Sequence, residues 1–266
     1  MTLTRLLLAG PLALLVASPS IAVLLPADDG ITAEQIADRA ENNLRSDQTI
    51  MEARMTVVSP RITRPRVMEF TSWDDREEER SFIRMQSPSK DKGTGFLKLH
   101  PNLWMYIPRV ERTMRIPPSM MMQSWMGSDF SNDDLVNESS ETDDYTHRLL
   151  GIETEIEGHD GRKAYLLEYV PKEEAPVVWG KILAWIDVER GLPLKQEFYD
   201  EDGELMRSMR FADIRPIGER WVPHDWSMKP EDKEGHETRI EIQRFVFDAD
   251  LDDDIFTKRN LRKGMR

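Results

Sequence analysis

Residues 95–135 read GFLKLHPNLWMYIPRVERTMRIPPSMMMQSWMGSDFSNDDL, and this stretch decides the fold. Its first half alternates apolar and polar side chains in the manner of β-strands, and we predict strands over residues 96–99, 103–107 and 112–116. Pro117 and Pro118 end the pattern because proline has no N–H group to donate to a sheet.

The second half, residues 117–135, is a connection between strands that carries soft apolar side chains. It contains Met120, Met121, Met122, Trp125, Met126 and Phe130, and its first acidic residue is Asp129. Methionine fills irregular gaps in protein cores, and flexible thioethers also repack around ligands of variable shape. The composition alone therefore allows two interpretations, a packed core and a ligand-binding surface.

Alternating segments recur along most of the chain. Short turns join them, and helical crossovers are missing from the pattern, which argues against a parallel α/β fold. We predict a mainly β protein with an antiparallel sheet of about eleven strands. Besides the three strands named above, candidate strand segments lie at residues 49–59, 66–73, 80–86, 145–157, 162–170, 177–187, 192–199, 204–214, 220–228 and 236–247.

The strongest helix pattern lies at residues 31–45. Thr32 and Gln35 form a capping box, and Ile36, Ala40 and Leu44 recur every four residues on one narrow stripe. A single amphipathic helix in a β protein must lie on the sheet to bury such a stripe.

The ends of the chain suggest export. Residues 1–22 resemble a cleavable signal peptide, with Arg5, an apolar run and a small-residue cleavage site, and residues 23–30 read as a linker. The run is shorter than the ~20 apolar residues of a membrane-spanning helix.

We predict that residues 31–257 form one domain. Residues 258–266 are a basic tail, which we predict to be frayed and solvated, with contact to an anionic membrane or a partner as the alternative.

Composition excludes several classes of site. The chain has no cysteine, which excludes disulfides, thiol catalysis and thiolate metal sites. A formal charge of −13 repels nucleic-acid phosphates and argues against nucleic-acid binding. Neither a phosphate loop nor a dinucleotide fingerprint occurs, so we expect no cofactor.

Motifs for catalysis and metal binding are weak. Ser128 lacks the glycine spacing of a nucleophile elbow, and His224 beside Asp225 reads as structural. The five histidines show no zinc-binding spacing. The acidic run at residues 248–254 lacks the glycine and glutamate of a calcium loop, and we expect Asp250 or Asp252 to cap a last helical turn.

The sequence resembles the outer-membrane lipoprotein-sorting protein family, the LolA-like periplasmic carriers, and in particular the branch often found beside large resistance-nodulation-type exporters. The resemblance covers nearly the whole mature chain. It is carried by KGTGF at 92–96, NLWMYIP at 102–108, RIPPSMMMQSWMGSDF at 115–130, DDL at 133–135, DDY at 143–145, QEFYD at 196–200 and DIFT at 254–257.

This resemblance implies a half-open antiparallel β-barrel whose concave face is closed by helices. It implies a periplasmic protein that transfers lipid or lipoprotein between membranes without covalent catalysis. The residues expected to line the acyl-chain site are Trp104, Met105, Met120, Met122, Trp125, Met126 and Phe130, with Ile36, Ala40 and Leu44 from the covering helix. Alternation forbids Trp104 and Met105 from both pointing inward.

Two other functions remain open from the sequence. The alternative is a non-carrying accessory subunit that docks on an inner-membrane exporter, in which the apolar connection is a protein interface. A hydrolase acting on envelope lipids would instead need Ser128 and His224.

Overall fold

The computed structural model describes residues 30–136, 141–173, 175 and 177–263. The predicted signal peptide and nearly all of the linker lie outside these residues. In the described part, no helix is both long enough and apolar enough to span a membrane.

Within the described residues, thirteen antiparallel strands form one open sheet. All thirteen candidate segments form strands, so the expected total of about eleven was too low. The strands are β1 Gln48–Val58, β2 Arg66–Asp75, β3 Arg80–Ser87, β4 Gly95–Leu99, β5 Asn102–Ile107, β6 Arg112–Ile116, β7 Tyr145–Glu153, β8 Ala164–Pro171, β9 Lys181–Asp187, β10 Pro193–Tyr199, β11 Leu205–Ile217, β12 Arg220–Pro230 and β13 Glu237–Val246.

The strand order is β6-β5-β4-β3-β2-β1-β13-β12-β11-β10-β9-β8-β7. The first and last strands of the chain therefore pair at the centre, with Met55 opposite Ile240. The edge strands β6 and β7 are consecutive in sequence. The chain must consequently pass from one edge of the sheet to the other between them, and the predicted half-open barrel is confirmed.

One face of the sheet carries the main core, and we call it the inner face. Alternation along each strand puts side chains such as Met55, Phe70, Phe96 and Leu167 on this face, and each is at most 2% exposed. Helix α1, Ala33–Leu44, packs on the inner face through Ile36.

The predicted capping box starts helix α1. The Thr32 hydroxyl accepts the Gln35 N–H at 3.2 Å, and the Gln35 side chain accepts the Thr32 N–H at 3.0 Å. The buried stripe is wider than predicted, because Ala33 and Ala37 join Ile36 and Ala40.

The outer face is covered locally by the C-terminal segment. A turn at Asp253–Phe256, capped by Asp252 as expected, leads into helix α3, Lys258–Arg262. Leu261 is fully buried against the outer side of β3–β5, and the Arg84 guanidinium donates to the Leu261 carbonyl at 3.1 Å. The expectation of a frayed tail is therefore wrong for residues 258–263, because a buried leucine anchors the helix.

Replacing Leu261 by alanine tests this anchor. A fully buried leucine typically contributes about 2–5 kcal/mol relative to alanine, so we expect Leu261→Ala to lower the free energy of unfolding by roughly that amount. Denaturant unfolding followed by circular dichroism measures the change. Arg262→Ala, an exposed position of the same helix, is the control and should change stability little. Equal effects of the two substitutions would contradict the packing described.

Candidate functional site

The candidate site lies on the inner face, under residues 117–136, which we call the crossing segment. This segment leaves β6 at one edge and lies across the sheet. It contains the short turns Pro118–Met120 and Trp125–Gly127, followed by helix α2, Asn132–Val136. An isolated bridge pairs Ser124 with Ser131, so the residues between them form a closed loop.

Trp125 is the central side chain of this loop. It is fully buried, and its ring lies 5.4 Å from both Phe70 on β2 and Phe96 on β4. Its indole N–H nevertheless has no hydrogen-bond partner among the described residues. An unpaired buried donor costs about 1–3 kcal/mol, which offsets part of the gain from burying the ring.

The backbone after Trp125 is also strained. Met126 adopts a left-handed conformation with φ 52° and ψ 23°, which an L-residue with a side chain rarely occupies. Gly127 follows with φ 76°. Consecutive left-handed residues reverse the chain sharply and return Phe130 to the core, where it is 2% exposed.

Side-chain bonds, and not strand pairing, attach the crossing segment to the sheet. The Asp129 N–H donates to the Thr238 hydroxyl oxygen at 3.0 Å, and that hydroxyl donates to the Asp129 carboxylate at 2.7 Å. Arg66 on β2 donates to the Met126 carbonyl. These contacts hold the segment near one end of the strands.

The strongest attachment is an ion pair between Arg207 on β11 and Asp134 on α2. Both terminal nitrogens of Arg207 donate to the carboxylate at 2.7 Å, and the guanidinium lies over the Phe198 and Trp179 rings. Burial alone would raise the pKa of Asp134. Arg207 and the hydrogen bonds from Ser131 outweigh that effect and hold the pKa below its ordinary value of 3.8.

A second polar cluster lies where the chain enters β7. The Gln196 amide donates to the Glu141 carboxylate at 2.8 Å, and the Thr142 hydroxyl donates to Glu41 of α1 at 2.7 Å. Burial, and then the nearby Glu41 carboxylate, raise the pKa of Glu141 from 4.5 to about 7. Arg76, 3.1 Å from Glu41, offsets part of the negative charge.

The predicted lining residues divide into two groups. Met105, Trp125, Met126, Phe130, Ile36 and Ala40 belong to the inner-face core or pack against it. The other four do not line it in this arrangement. Met120 and Met122 are 38% and 37% exposed, and Leu44 is half-buried outside the main cluster.

Trp104, the fourth of these residues, does not lie on the inner face. It faces the outer side, where Lys258 of α3 lies 4.0 Å from the centre of its ring. Adjacent residues of a strand point to opposite faces, so the inward orientation of Met105 excludes Trp104. The sequence alone does not show which alternate residues of β5 face the core.

Sequence reasoning missed the polar groups of the site, namely Arg207, Gln196 and Glu141. One signal was available for Arg207. It stands in the series Leu205, Arg207, Met209 on alternate positions of β11, so a charge occupies the apolar side of an alternating strand. A charge at such a position requires a buried partner.

The residues weighed for hydrolysis have structural roles. Ser128 is 4% exposed, and its hydroxyl donates to the Trp125 carbonyl at 2.7 Å. The His224 ring contacts the Val222 carbonyl at 2.9 Å. Among the described residues, no group of three acidic, histidine or cysteine side chains is arranged to hold a metal ion.

Breaking the ion pair to Arg207 should release the crossing segment. In Asp134→Asn the buried guanidinium loses its counter-ion, and we expect a loss of about 3 kcal/mol in the free energy of unfolding. Asp225→Asn is the matched control, because it breaks a bidentate pair whose Arg239 is half exposed and should cost at most ~1 kcal/mol. Hydrogen exchange should rise in residues 124–136 for Asp134→Asn only. Unchanged protection there would contradict the attachment.

The raised pKa of Glu141 predicts a pH dependence of stability. A carboxyl whose pKa is higher in the folded state stabilises fully below its ordinary pKa of 4.5, and this stabilisation is lost as pH rises to about 7. Glu141→Gln stays neutral, so it should match the wild type near pH 4.5 and exceed it above pH 7 by on the order of 1–3 kcal/mol. Melting temperatures across this range measure the difference. The exposed Glu111→Gln should show none.

Comparison with known proteins establishes the relationship of this fold. Residues 77–263 match a family model whose description reads "Uncharacterized protein". No curated protein sequence matches the chain.

Solved structures share the architecture along most of the chain. A putative outer membrane lipoprotein-sorting protein domain from Vibrio parahaemolyticus is 24% identical, with a TM-score of 0.74, over 87% of this chain and 98% of that one. A DUF1329 family protein from Desulfovibrio piger is 24% identical, with a TM-score of 0.76, over 86% and 97%. A LolA superfamily protein from Nitrosomonas europaea is 23% identical, with a TM-score of 0.72, over 87% and 100%. The chain belongs to the family that the matching model describes, and it has the fold of the LolA-like lipoprotein-sorting proteins.

Proposed function

We propose that this protein is a periplasmic carrier that binds the acyl chain of a lipid or lipoprotein on the inner face and moves it between membranes without covalent catalysis. The observation that carries the proposal is the position of Trp125. It fills the apolar inner face from a loop that is attached by a few side-chain bonds and is not part of the sheet.

The energies of exchange support this function. Burying a tryptophan removes 150–250 Å² from water and is worth roughly 4–6 kcal/mol, of which the unpaired indole N–H offsets about 1–3. Ten methylenes of an acyl chain contribute about 8 kcal/mol before ordering costs. An acyl chain that displaces the Trp125 loop would therefore compensate for the apolar burial that is lost when Trp125 leaves the inner face.

Movement of the crossing segment is the proposed gate. Its backbone near Trp125 is strained at Met126, which lowers the cost of leaving the closed arrangement. The Asp134–Arg207 pair would remain as a hinge point, since it is the strongest of the attachments. Acyl chain would then contact Phe70, Phe96 and Met105.

The proposal includes a periplasmic location and an inner-membrane exporter as a partner. The signal-peptide pattern of residues 1–22 supports a periplasmic location, and the resemblance to carriers found beside resistance-nodulation-type exporters supports an inner-membrane exporter as partner. The exposed side chains of Met120 and Met122 favour the second candidate, an accessory subunit that docks on such an exporter and carries nothing.

A disulfide lock tests the carrier. The chain has no cysteine, so Asp129→Cys with Thr238→Cys introduces the only thiols, at side chains that are in hydrogen-bond contact. The oxidised variant should not take up a fluorescent fatty acid, because the crossing segment stays on β13. The reduced variant should bind it, and native mass spectrometry of the wild type should detect co-purified lipid.

The single variant Asp129→Cys, treated with the same oxidant, separates oxidation from locking. Equal uptake by the oxidised and reduced double variants would contradict displacement of the segment. If neither the wild type nor the reduced variant binds fatty acid or retains lipid, the carrier is excluded and the docking subunit becomes the better function.

A further inference from the structure

One end of the sheet has an uneven distribution of charge. The hairpins of strands β1–β6 turn at this end through residues 59–65, 88–94 and 108–111, which together with the flanking strand ends are rich in arginine and lysine. The loops 200–204 and 231–236 of the other half turn at the same end. They carry seven acidic residues against one lysine.

Six cations of the basic half form no ion pair with any other residue that the structure describes. The three hairpin loops contain two acidic residues, Asp91 and Glu111. Asp91 pairs with Arg66, and Glu111 is exposed. In the described part of the chain, no ion pair involves the six exposed cations Arg61, Arg64, Lys90, Lys92, Arg109 and Arg112. Most other arginines of this acidic protein are bound to carboxylates or carbonyls, so this cluster is an exception.

Exposed aliphatic side chains stand among these cations. Ile62 is 41% exposed within the β1–β2 loop, between Arg61 and Arg64, and Val110 is 62% exposed at the tip of the β5–β6 hairpin, beside Arg109. The strand ends that flank the first loop add Val58 and Val67, at 40% and 43%. Removing large aliphatic side chains from water is favourable, and side chains at loop tips can be removed from water only by a binding partner.

The three hairpins are consecutive in the sheet. Neighbouring strands lie about 4.8 Å apart, so the loop tips are spread along about 20 Å of the rim. Successive loop tips are therefore about 10 Å apart, comparable to the screening length of about 8 Å in physiological salt, so the charges of neighbouring tips still reinforce one another. The rim therefore presents a row of cations interspersed with exposed aliphatic side chains.

We propose that this rim, formed by residues 58–67, 88–94 and 107–112, docks the protein on an anionic phospholipid bilayer. Phosphate headgroups would bind the six cations, while Ile62 and Val110 enter the boundary between headgroups and acyl chains. The acidic loops 200–204 and 231–236 are repelled by the same surface, so the protein docks in one orientation. This inference goes beyond the proposed function and does not depend on what the inner face binds.

Vesicle co-sedimentation of the full chain tests the proposal. Wild type should partition onto vesicles of phosphatidylethanolamine and phosphatidylglycerol, and only weakly onto pure phosphatidylcholine. Each basic residue near such a surface contributes about a fivefold factor, so Arg61→Glu with Arg64→Glu should weaken binding at least about tenfold. Ile62→Ser with Val110→Ser should bind in low salt but dissociate in high salt, where the electrostatic attraction is screened.

Lys163→Glu with Arg215→Glu is the matched control, since it makes the same charge change at exposed residues of the opposite strand ends. It should bind vesicles like wild type. Circular dichroism confirms the fold of each variant. The proposal is overturned if wild type does not distinguish the two kinds of vesicle, or if Arg61→Glu with Arg64→Glu binds like the control. It is also overturned if wild type ignores vesicles and uses Arg61 and Arg64 to bind an acidic protein.

Discussion

The contact of Trp125 with Phe70 and Phe96 is the interaction on which the inner face depends. An open sheet of thirteen strands leaves a wide apolar surface. Its two edge strands, β6 and β7, are consecutive in sequence, so the chain must cross this surface between them. Physical chemistry requires that this link bury apolar side chains and satisfy its own polar groups. The crossing segment meets the first need with Trp125 and Phe130. It meets the second through Arg207, Thr238 and Arg66, except at the unpaired indole N–H of Trp125.

The attachments of the segment differ in strength, and this difference organises the site. The buried Asp134–Arg207 pair resists separation, because each charge left alone in the interior is costly. The loop around Trp125 has the opposite character, with an unpaired indole N–H and a left-handed methionine. Local stability therefore falls along the segment from α2 toward the loop. In proteins generally, loops that move on ligand binding are drawn from such low-stability regions.

The strands were predictable because their signal is local. Alternation with period two marks a half-buried strand wherever it lies, and the capping box of Thr32 and Gln35 is complete within four residues. The facing of β5 was not local, since it depends on which side the core forms, so the sequence could not decide whether Trp104 or Met105 points inward. The bound position of α3 also escaped, because Leu261 meets its partners Leu97 and Phe82 from across the chain. The ion pair of Asp134 with Arg207 joins residues 73 positions apart, and the sequence offered only the inward charge as a hint.

The pairing of β1 with β13 at the centre of the sheet also has a kinetic consequence. The two halves are each built from neighbouring hairpins, but the seam between them joins the beginning of the chain to its end. Loop closure over such a separation is slow, and long-range β pairing is the slowest part of folding. Each half exposes the edge of β1 or β13 until its counterpart arrives, and an unpaired edge is a template for aggregation. The interval before the seam closes is therefore the period in which this chain is most prone to aggregate.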